Sequence, residues 1–344
     1  MTVKRERILG IDIGGANLKA ADQEGHCLCQ YFPLWKHPQD LAAGLRKLAE
    51  PFTNIDRFAI TMTGELADCF RNRATGVRHI VDHCQQAFGE RCEYYTVDGQ
   101  FVSAAVASAD DTAIAASNWH AMASLAATWF SGDGLLIDIG STTSDLIPFA
   151  DGRIATPSRS DQQRLMRGEL IYAGVGRTPI CAVVDELPYR GQLTPVMNEV
   201  FAVTDDCAIL TGITPPDEDD YESCDGRPRT REEAANRMAR MIGLDHRQVG
   251  LEDATDMAIY VWERLQAQWI VAAGVLSSPS ATWFLVGHGQ QLLPVPADRR
   301  CCDLSQTLGP EISRAGPAYA VACLAALHRD PQAISSPLES PHQS

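Results

Sequence analysis

Positive charge is what this sequence has least of for its size: Lys and Arg total 29 against 44 Asp and Glu, a formal charge of −15. No local basic patch offsets the deficit, so neither nucleic acid nor an anionic membrane surface is an expected partner. The chain also lacks any CxxC pair among its 11 cysteines, whose only close sets are Cys27/Cys29 and Cys301/Cys302. That dispersion fits neither a disulfide-dense secreted domain nor a zinc site, and reduced thiols in a cytoplasmic protein are the expectation. No stretch approaches the roughly 18 to 20 apolar residues that span a bilayer. At the start, MTVKRERILGIDIGG, Asp12 interrupts the apolar run too early for a signal-peptide core. Two nucleotide signatures are missing as well, the GxxxxGK[ST] loop and the GxGxxG fingerprint, so P-loop and Rossmann readings have no support.

What is present is a balance of 45% hydrophobic and 21% charged residues over 344 positions, which suits a folded globular protein of about two domains. Ile8 to Ile13 reads as a strand, broken by Gly14-Gly15, with a second strand from Leu18 to Ala21 and a turn at Gln23 to Gly25. A similar stretch returns at Leu135 to Asp145, followed by another apolar strand and the turn Ala150-Asp151-Gly152. From Asp12 to Asp138 the offset is 126 residues, too long for a solenoid unit and close to one whole domain, which points to two copies of one fold.

Between the copies, Phe58 to Met62 and Glu93 to Val97 read as strands, Val77 to Ala87 as a helix, and Ala104 to Phe130 as mostly helical. The domain junction falls there: a first domain over 1–118, completed by a C-terminal helix at 315–328, and a second over 119–314. The acidic, Pro- and Gly-rich stretch 214–229 (TPPDEDDYESCDGRPR) reads as a mobile surface loop within a helical insertion. Thr230 to Glu233 then opens a helix with a capping-box pattern that stops near Gly243. Ala281 to Val286 is an apolar strand, Gly316 to Leu327 a helix of small residues, and 330–344 a disordered tail.

The two Asp-x-Gly turns carry the chemistry, because glycine lets backbone N–H groups approach an anion while an Asp ending the strand can face a metal ion. One such turn is an ordinary hairpin; two at domain spacing make a more specific pattern. Glu65 and Asp68, three residues apart after the Phe58 to Met62 strand, are candidates for a general base, with a solvated helix start as the equally weighted alternative. Lys19 is placed to pair with a phosphate or to lower the pKa of an acceptor hydroxyl. Arg71 and Arg73 follow closely, as ligands for phosphate or a carboxylate or as plain exposed arginines. His79, Asp82 and His83 have helical i, i+4 spacing but no visible third ligand, and are read as structural. Cys301-Cys302 is read as packing, and Asn118-Trp119 as either an interdomain polar contact or helix packing.

The segments Ile8 to Lys19, Gly134 to Asp145, Phe284 to Gln290 and Ala315 to Cys323 resemble, in order, the two phosphate motifs, the adenosine motif and the second connecting helix of the actin, sugar-kinase and Hsp70 superfamily. Three further stretches, TMTGELADCF at 61–70, ASNWHA at 116–121 and RGELIYAGVGRTPI at 167–180, resemble hydantoinase/oxoprolinase-related proteins linked to tetrahydromethanopterin-dependent C1 transfer. The resemblance implies an α/β fold of two ribonuclease-H-like domains with a cleft between them. It implies that Asp12 and Asp138 hold Mg²⁺, and that Gly14, Gly15, Asn17, Gly140, Ser141, Thr142 and Thr143 wrap phosphate. Asn118, Gly287 and Gly289 would touch nucleotide or substrate. The adenosine segment reads Gly287-His288-Gly289 where ATP users more often carry a run of glycines, so ATP stands as the lesser cofactor option.

The implied reaction joins an aminomethylfuran diphosphate to the phenol oxygen of glutamyltyramine with release of diphosphate, a step of methanofuran-type cofactor biosynthesis. The alternatives are an ATP-dependent small-molecule kinase or ring-amide hydrolase of the same superfamily, and a non-catalytic nucleotide-sensing or actin-like protein. The expected partner is a small phosphorylated substrate, with a homo-oligomer left open.

Overall fold

The computed structural model describes residues 6–339. Its strands are β1 (Ile8–Ile13), β2 (Asn17–Asp22), β3 (Cys27–Tyr31), β4 (Arg57–Met62), β5 (Cys92–Tyr95), β6 (Phe101–Val102), β7 (Gly134–Ile139), β8 (Ser144–Ala150), β9 (Arg153–Ile154), β10 (Leu170–Ile171), β11 (Glu186–Tyr189), β12 (Gln192–Pro195), β13 (Thr282–Val286) and β14 (Cys301–Asp303). The helices are α1 (Leu41–Ala49), α2 (Arg73–Phe88), α3 (Ala104–Ala109), α4 (Asp111–Ile114), α5 (Asn118–Trp129), α6 (Asp161–Arg167), α7 (Thr204–Leu210), α8 (Arg231–Arg240), α9 (Leu251–Leu276), α10 (Leu304–Leu308), α11 (Pro310–Arg314) and α12 (Gly316–Arg329).

Two mixed sheets form two lobes. The first runs β3-β2-β1-β4-β5-β6 and the second β10-β8-β7-β13-β14, with β9 on β8. In each, an antiparallel hairpin (β1–β2, β7–β8) adjoins a parallel strand (β4, β13). β1 is buried along its whole length, as a central strand covered on both faces should be.

The lobes meet at α5 and α12, which share one core with residues from both sheets, including Ile8, Ala59, Leu136 and Phe284. The small side chains of α12 let it press against β1: a Cβ at Gly10 would stand 1.9 Å from the Ala318 carbonyl oxygen. That approach places the open ends of the β1–β2 and β7–β8 hairpins on either side of one cleft.

Two expectations are corrected. The stretch 214–229 is tied down rather than loose: Asp217 pairs with Arg229, and the Arg229 guanidinium binds Asp205 and Asp220 at 2.7 Å. Arg237, fully buried, reaches Asp206 at 2.7 Å and Asp225 at 3.1 Å. An acidic run that would repel itself is thus neutralised by its own Arg229 and by Arg237 and Arg240 of α8. The expected disordered tail also folds back in part, with Ala333 buried and Ile334 and Leu338 packed on the interlobe core; positions 340–344 lie outside the described residues. The longest element, α9, falls where no element is expected, although its buried positions (Ala254, Met257, Ala258, Val261, Trp262, Leu265, Trp269, Ala273) recur at helical spacing.

Candidate functional site

Asp12 ends β1 and lies opposite Lys19 of β2, so both side chains rise from the same face of the hairpin. The Lys19 ammonium stands 3.8 Å from Asp12 Oδ2, while Asp12 Oδ1 is buried with no hydrogen-bond partner among the described residues. Burial raises the Asp12 pKa, and Lys19 pulls it back only partly. The turn closes with Gly14 N–H donating to the Asn17 carbonyl at 3.0 Å. A Cβ added at Gly15 would meet nothing within 4 Å, so this turn faces open space.

Asp138 holds the matching position on β7, opposite Asp145 of β8. The second turn closes the same way, Gly140 N–H donating to the Thr143 carbonyl at 2.9 Å, and Ser141, Thr142 and Thr143 remain half-buried at its tip. Burial first, then the negative charges of Asp145 and Asp12, push Asp138 up to about 7 against the opposing pull of Lys19. The Lys19 and Asp12 charges of the first hairpin thus act on Asp138 of the second. Burial lifts Asp145 to about 6, opposed by Arg164, which reaches it at 2.5 Å. Arg164 in turn lies 4.7 Å from the centre of the Trp119 ring.

The three family-like stretches prove to be the bed on which the hairpins rest. Thr63 and Gly64 donate backbone N–H groups to the Ile13 carbonyl at 2.9 and 3.0 Å, which fixes 61–70 beneath the first turn. Val175 and Gly176 do the same to the Gly140 and Ser141 carbonyls at 3.0 and 2.9 Å. A Cβ at Gly174 would lie 2.4 Å from the Gly140 oxygen, so only glycine lets 167–180 wrap the second turn. Between them, Ser117 hydrogen-bonds Thr61 at 2.8 Å through their hydroxyls, and Trp119 carries Arg164.

Glu65 and Asp68 separate. The segment 63–72 is an irregular turn, and α2 begins only at Arg73, so the two carboxylates share no helical face. Asp68 is exposed, whereas Glu65 is 1% exposed with Oε2 lacking a partner among the described residues. Burial pushes Glu65 up to about 7, with the Asp161 charge adding to the shift and Arg73 opposing it. Helix α2 presses so close that a Cβ at Gly76 would sit 1.9 Å from the Glu65 carbonyl oxygen.

Asn118 turns its Oδ1 to accept from the Trp119 N–H at 2.8 Å at the start of α5. Gly287, in the left-handed region at φ +87°, passes Asp138 so closely that a Cβ would stand 2.4 Å from its Oδ1. A Cβ at Gly289 would crowd Ile139 and Val175 at 2.5 Å. Both glycines are thus demanded by packing against the second hairpin. Between them, solvent reaches His288, yet its desolvated surroundings and the nearby cations Lys19 and Arg314 hold its pKa down to about 4. His79 and His83 hydrogen-bond the Pro38 and His79 carbonyls at 2.9 and 2.8 Å, a structural arrangement. All 11 cysteines are free thiols. Among the described residues no helix is long and apolar enough to cross a membrane.

Two ribonuclease-H-like halves with facing Asp-x-Gly hairpins define the actin, sugar-kinase and Hsp70 fold class. Among solved structures, a nucleotide-free acetone carboxylase aligns over 92% of this chain and 70% of its own at a TM-score of 0.51 and 12% identity, a likeness of fold alone. The chain belongs to the hydantoinase/oxoprolinase family, whose model matches residues 57–329. It is 33% identical over 332 residues, 92% of this chain and 97% of the relative, to the (4-{4-[2-(γ-L-glutamylamino)ethyl]phenoxymethyl}furan-2-yl)methanamine synthase of Methanocaldococcus jannaschii. The synthase of the same name from Methanococcus vannielii is 35% identical over 135 residues, 38% of this chain and 59% of that relative. The chain is accordingly an enzyme.

Proposed function

We propose that this enzyme transfers an aminomethylfuran group from its diphosphate to the phenol oxygen of a glutamyltyramine-type acceptor, in the biosynthesis of a methanofuran-type cofactor. The observation that carries the proposal is the near full-length match to the synthase of Methanocaldococcus jannaschii in a chain whose cleft sets Asp12, Lys19 and Asp138 between two phosphate-type turns.

In the reaction the furan methylene carbon loses its bond to the diphosphate oxygen, which departs with the electron pair, and forms a bond to the phenol oxygen. The phenol proton must go to a base, since a neutral phenol with a pKa near 10 is a poor nucleophile. Glu65 suits that role. Its carboxyl, raised to about 7, has one oxygen without a partner among the described residues and is closer to the phenol in proton affinity than an ordinary carboxylate. The backbone N–H groups of Gly15, Ser141 and Thr142, with the Asn17 amide and the Thr143 hydroxyl, grip the diphosphate, while the Gly14 and Gly140 N–H groups hold the two turns closed, and Lys19 neutralises part of the diphosphate charge.

Asp12 and Asp138 fit Mg²⁺ because they are hard oxygen donors that burial and mutual repulsion leave short of positive charge, with Asp12 Oδ1 unpartnered. Bound there, the ion would supply positive charge to the leaving diphosphate. Residues Asn118, Gly287 and Gly289 serve as supports of this site, positioning α5 and Asp138.

The deciding experiment is mass spectrometry of reactions with Mg²⁺ containing aminomethylfuran diphosphate plus γ-glutamyltyramine, beside reactions with ATP and the corresponding alcohol. Ether product with stoichiometric diphosphate, and no ATP consumed, is the expected result. Product only with ATP would replace this reading by the kinase-type one.

A further inference from the structure

A cavity of about 320 Å³ opens at the seam between the lobes. Its walls carry Arg73, Asp98 and Asp110 from the first lobe, Arg159 and Asp161 from the second, and Ala116 at the start of the connecting helix. Most of these charges are already spent: Arg159 binds Asp98 at 2.8 Å, and Asp110 accepts from the Thr112 hydroxyl at 2.7 Å and the Ala113 N–H at 3.2 Å. Arg73 is the exception. No carboxylate lies within ion-pairing distance of it among the described residues, and its Nε is buried without a partner. A buried guanidinium N–H left unpaired costs free energy that a ligand in the cavity can return.

Two further observations place this cavity in the reaction path. Three residues whose charges or backbone N–H act on the Glu65 carboxyl, Arg73, Asp161 and Ala116, all line it. Ala116 also sits in the left-handed region at φ +49°, which costs a non-glycine residue about 1–2 kcal/mol and tends to persist where function requires it.

We infer that this cavity binds the amino-acid end of the acceptor, with Arg73 holding its α-carboxylate and Asp161 flanking its ammonium. The inference rests on the transfer reading for the identity of the acceptor, since the relatives' product carries a γ-L-glutamylamino group at the end remote from the phenol oxygen. With that oxygen near Glu65, the glutamyl end extends toward Arg73. Arg73 is then a specificity-determining residue: it selects acceptors with a free carboxylate and leaves the chemistry at the phenol untouched.

The experiment is calorimetric titration of the full chain with γ-glutamyltyramine and with N-acetyltyramine, which keeps the phenol and the amide but lacks the zwitterion. Wild-type protein should bind γ-glutamyltyramine about 10- to 100-fold more tightly, the range of a charge-assisted hydrogen bond. Arg73→Ala and Arg73→Gln should abolish the preference by weakening only γ-glutamyltyramine. Arg73→Lys should keep part of it, and Arg71→Ala, an exposed neighbour outside the cavity, all of it. Equal wild-type affinity for the two compounds, or a preference that survives Arg73→Gln in a variant with unchanged circular dichroism, overturns the assignment. If the preference depends on Arg73 and yet no ether forms, the transfer reading fails and the pocket stands. If ether forms from both acceptors with equal kcat/KM, the transfer reading stands and the pocket assignment falls.

Discussion

The two hairpins that face the cleft share one backbone plan and differ in charge at one equivalent position. Shifting Lys19 by the 126-residue offset lands on Asp145. Each is the register partner of the aspartate on the adjoining strand, Lys19 of Asp12 and Asp145 of Asp138. In the first lobe the partner is a cation that reaches into the cleft at 3.8 Å from the acid. In the second it is another acid, drawn back by the buried Arg164 and stacked through it on Trp119. Duplication supplies the turn twice, and in the reaction proposed above divergence at this position makes the first hairpin a charge donor to ligand and the second an anchor. Burial first, and then the negative charge that Asp145 brings to this position, raise the Asp138 pKa to about 7.

Replacing the aspartates probes the shared part of the plan and should give the largest effect. Asp12→Asn and Asp138→Asn should each lower kcat by about 10³-fold, as loss of a principal electrostatic group does, with thermal unfolding little changed. Full activity in either variant would remove that carboxylate from the mechanism.

Glu65→Gln should cost about 10²-fold or more in kcat, in the range for general-base catalysis. Because the base acts when ionised, wild-type kcat/KM should fall as pH drops through about 7, and the variant should lose that limb. The stability sign is opposite. A carboxyl raised from its ordinary value of 4.5 to about 7 by folding favours the protonated fold, so the wild-type protein loses stability as pH rises between those values and the Gln variant, which keeps the raised Asp138 and Asp145, loses less. Thermal melts at pH 5 and pH 8 measure this directly.

The divergent position separates the lobes. Asp145→Asn removes the 2.5 Å partner of the buried Arg164, leaving it Asp161 at 3.8 Å, and should destabilise the fold by about 3 kcal/mol, visible as an earlier denaturant midpoint. Lys19→Met should leave the midpoint near wild type and lower kcat/KM for the diphosphate substrate by about tenfold. If Lys19→Met destabilises and Asp145→Asn only slows the reaction, the contrast drawn between the hairpins is wrong. The smallest effect belongs to Glu222→Ala, which breaks the 3.4 Å contact from the 214–229 segment to Lys36 of the first lobe. An exposed pair of this kind contributes within about 0.5 kcal/mol, so the melt should not move. A several-fold rise in the Michaelis constant would identify the segment as a substrate-sensitive strap.

Much of the site was legible because its requirements are local. An Asp at a strand end followed by glycine is a backbone demand that shows in four consecutive residues, and its recurrence exposes the duplication. Other readings failed where partners are distant. Glu65 and Asp68 look alike at a spacing of three, yet the irregular turn buries one and exposes the other. The acidic segment 214–229 looks mobile by composition, but the arginines that neutralise it come largely from α8. Arg164 carried no signal at all, since its pairing with Asp145 depends on β10 and α6 folding over β8.

The sequence by itself determined the two hairpins, the glycines at their turns and the small-residue helix that seats them, because each follows from steric limits acting within a few residues. Only the tertiary structure decided which charges are free. Arg73 and Arg159 line the same cavity wall and have the same intrinsic chemistry, but Arg159 is satisfied by Asp98 from the other lobe and Arg73 is not. Pairing of charges across the seam depends on how two separately folded sheets pack on α5 and α12, and no local pattern encodes that distance.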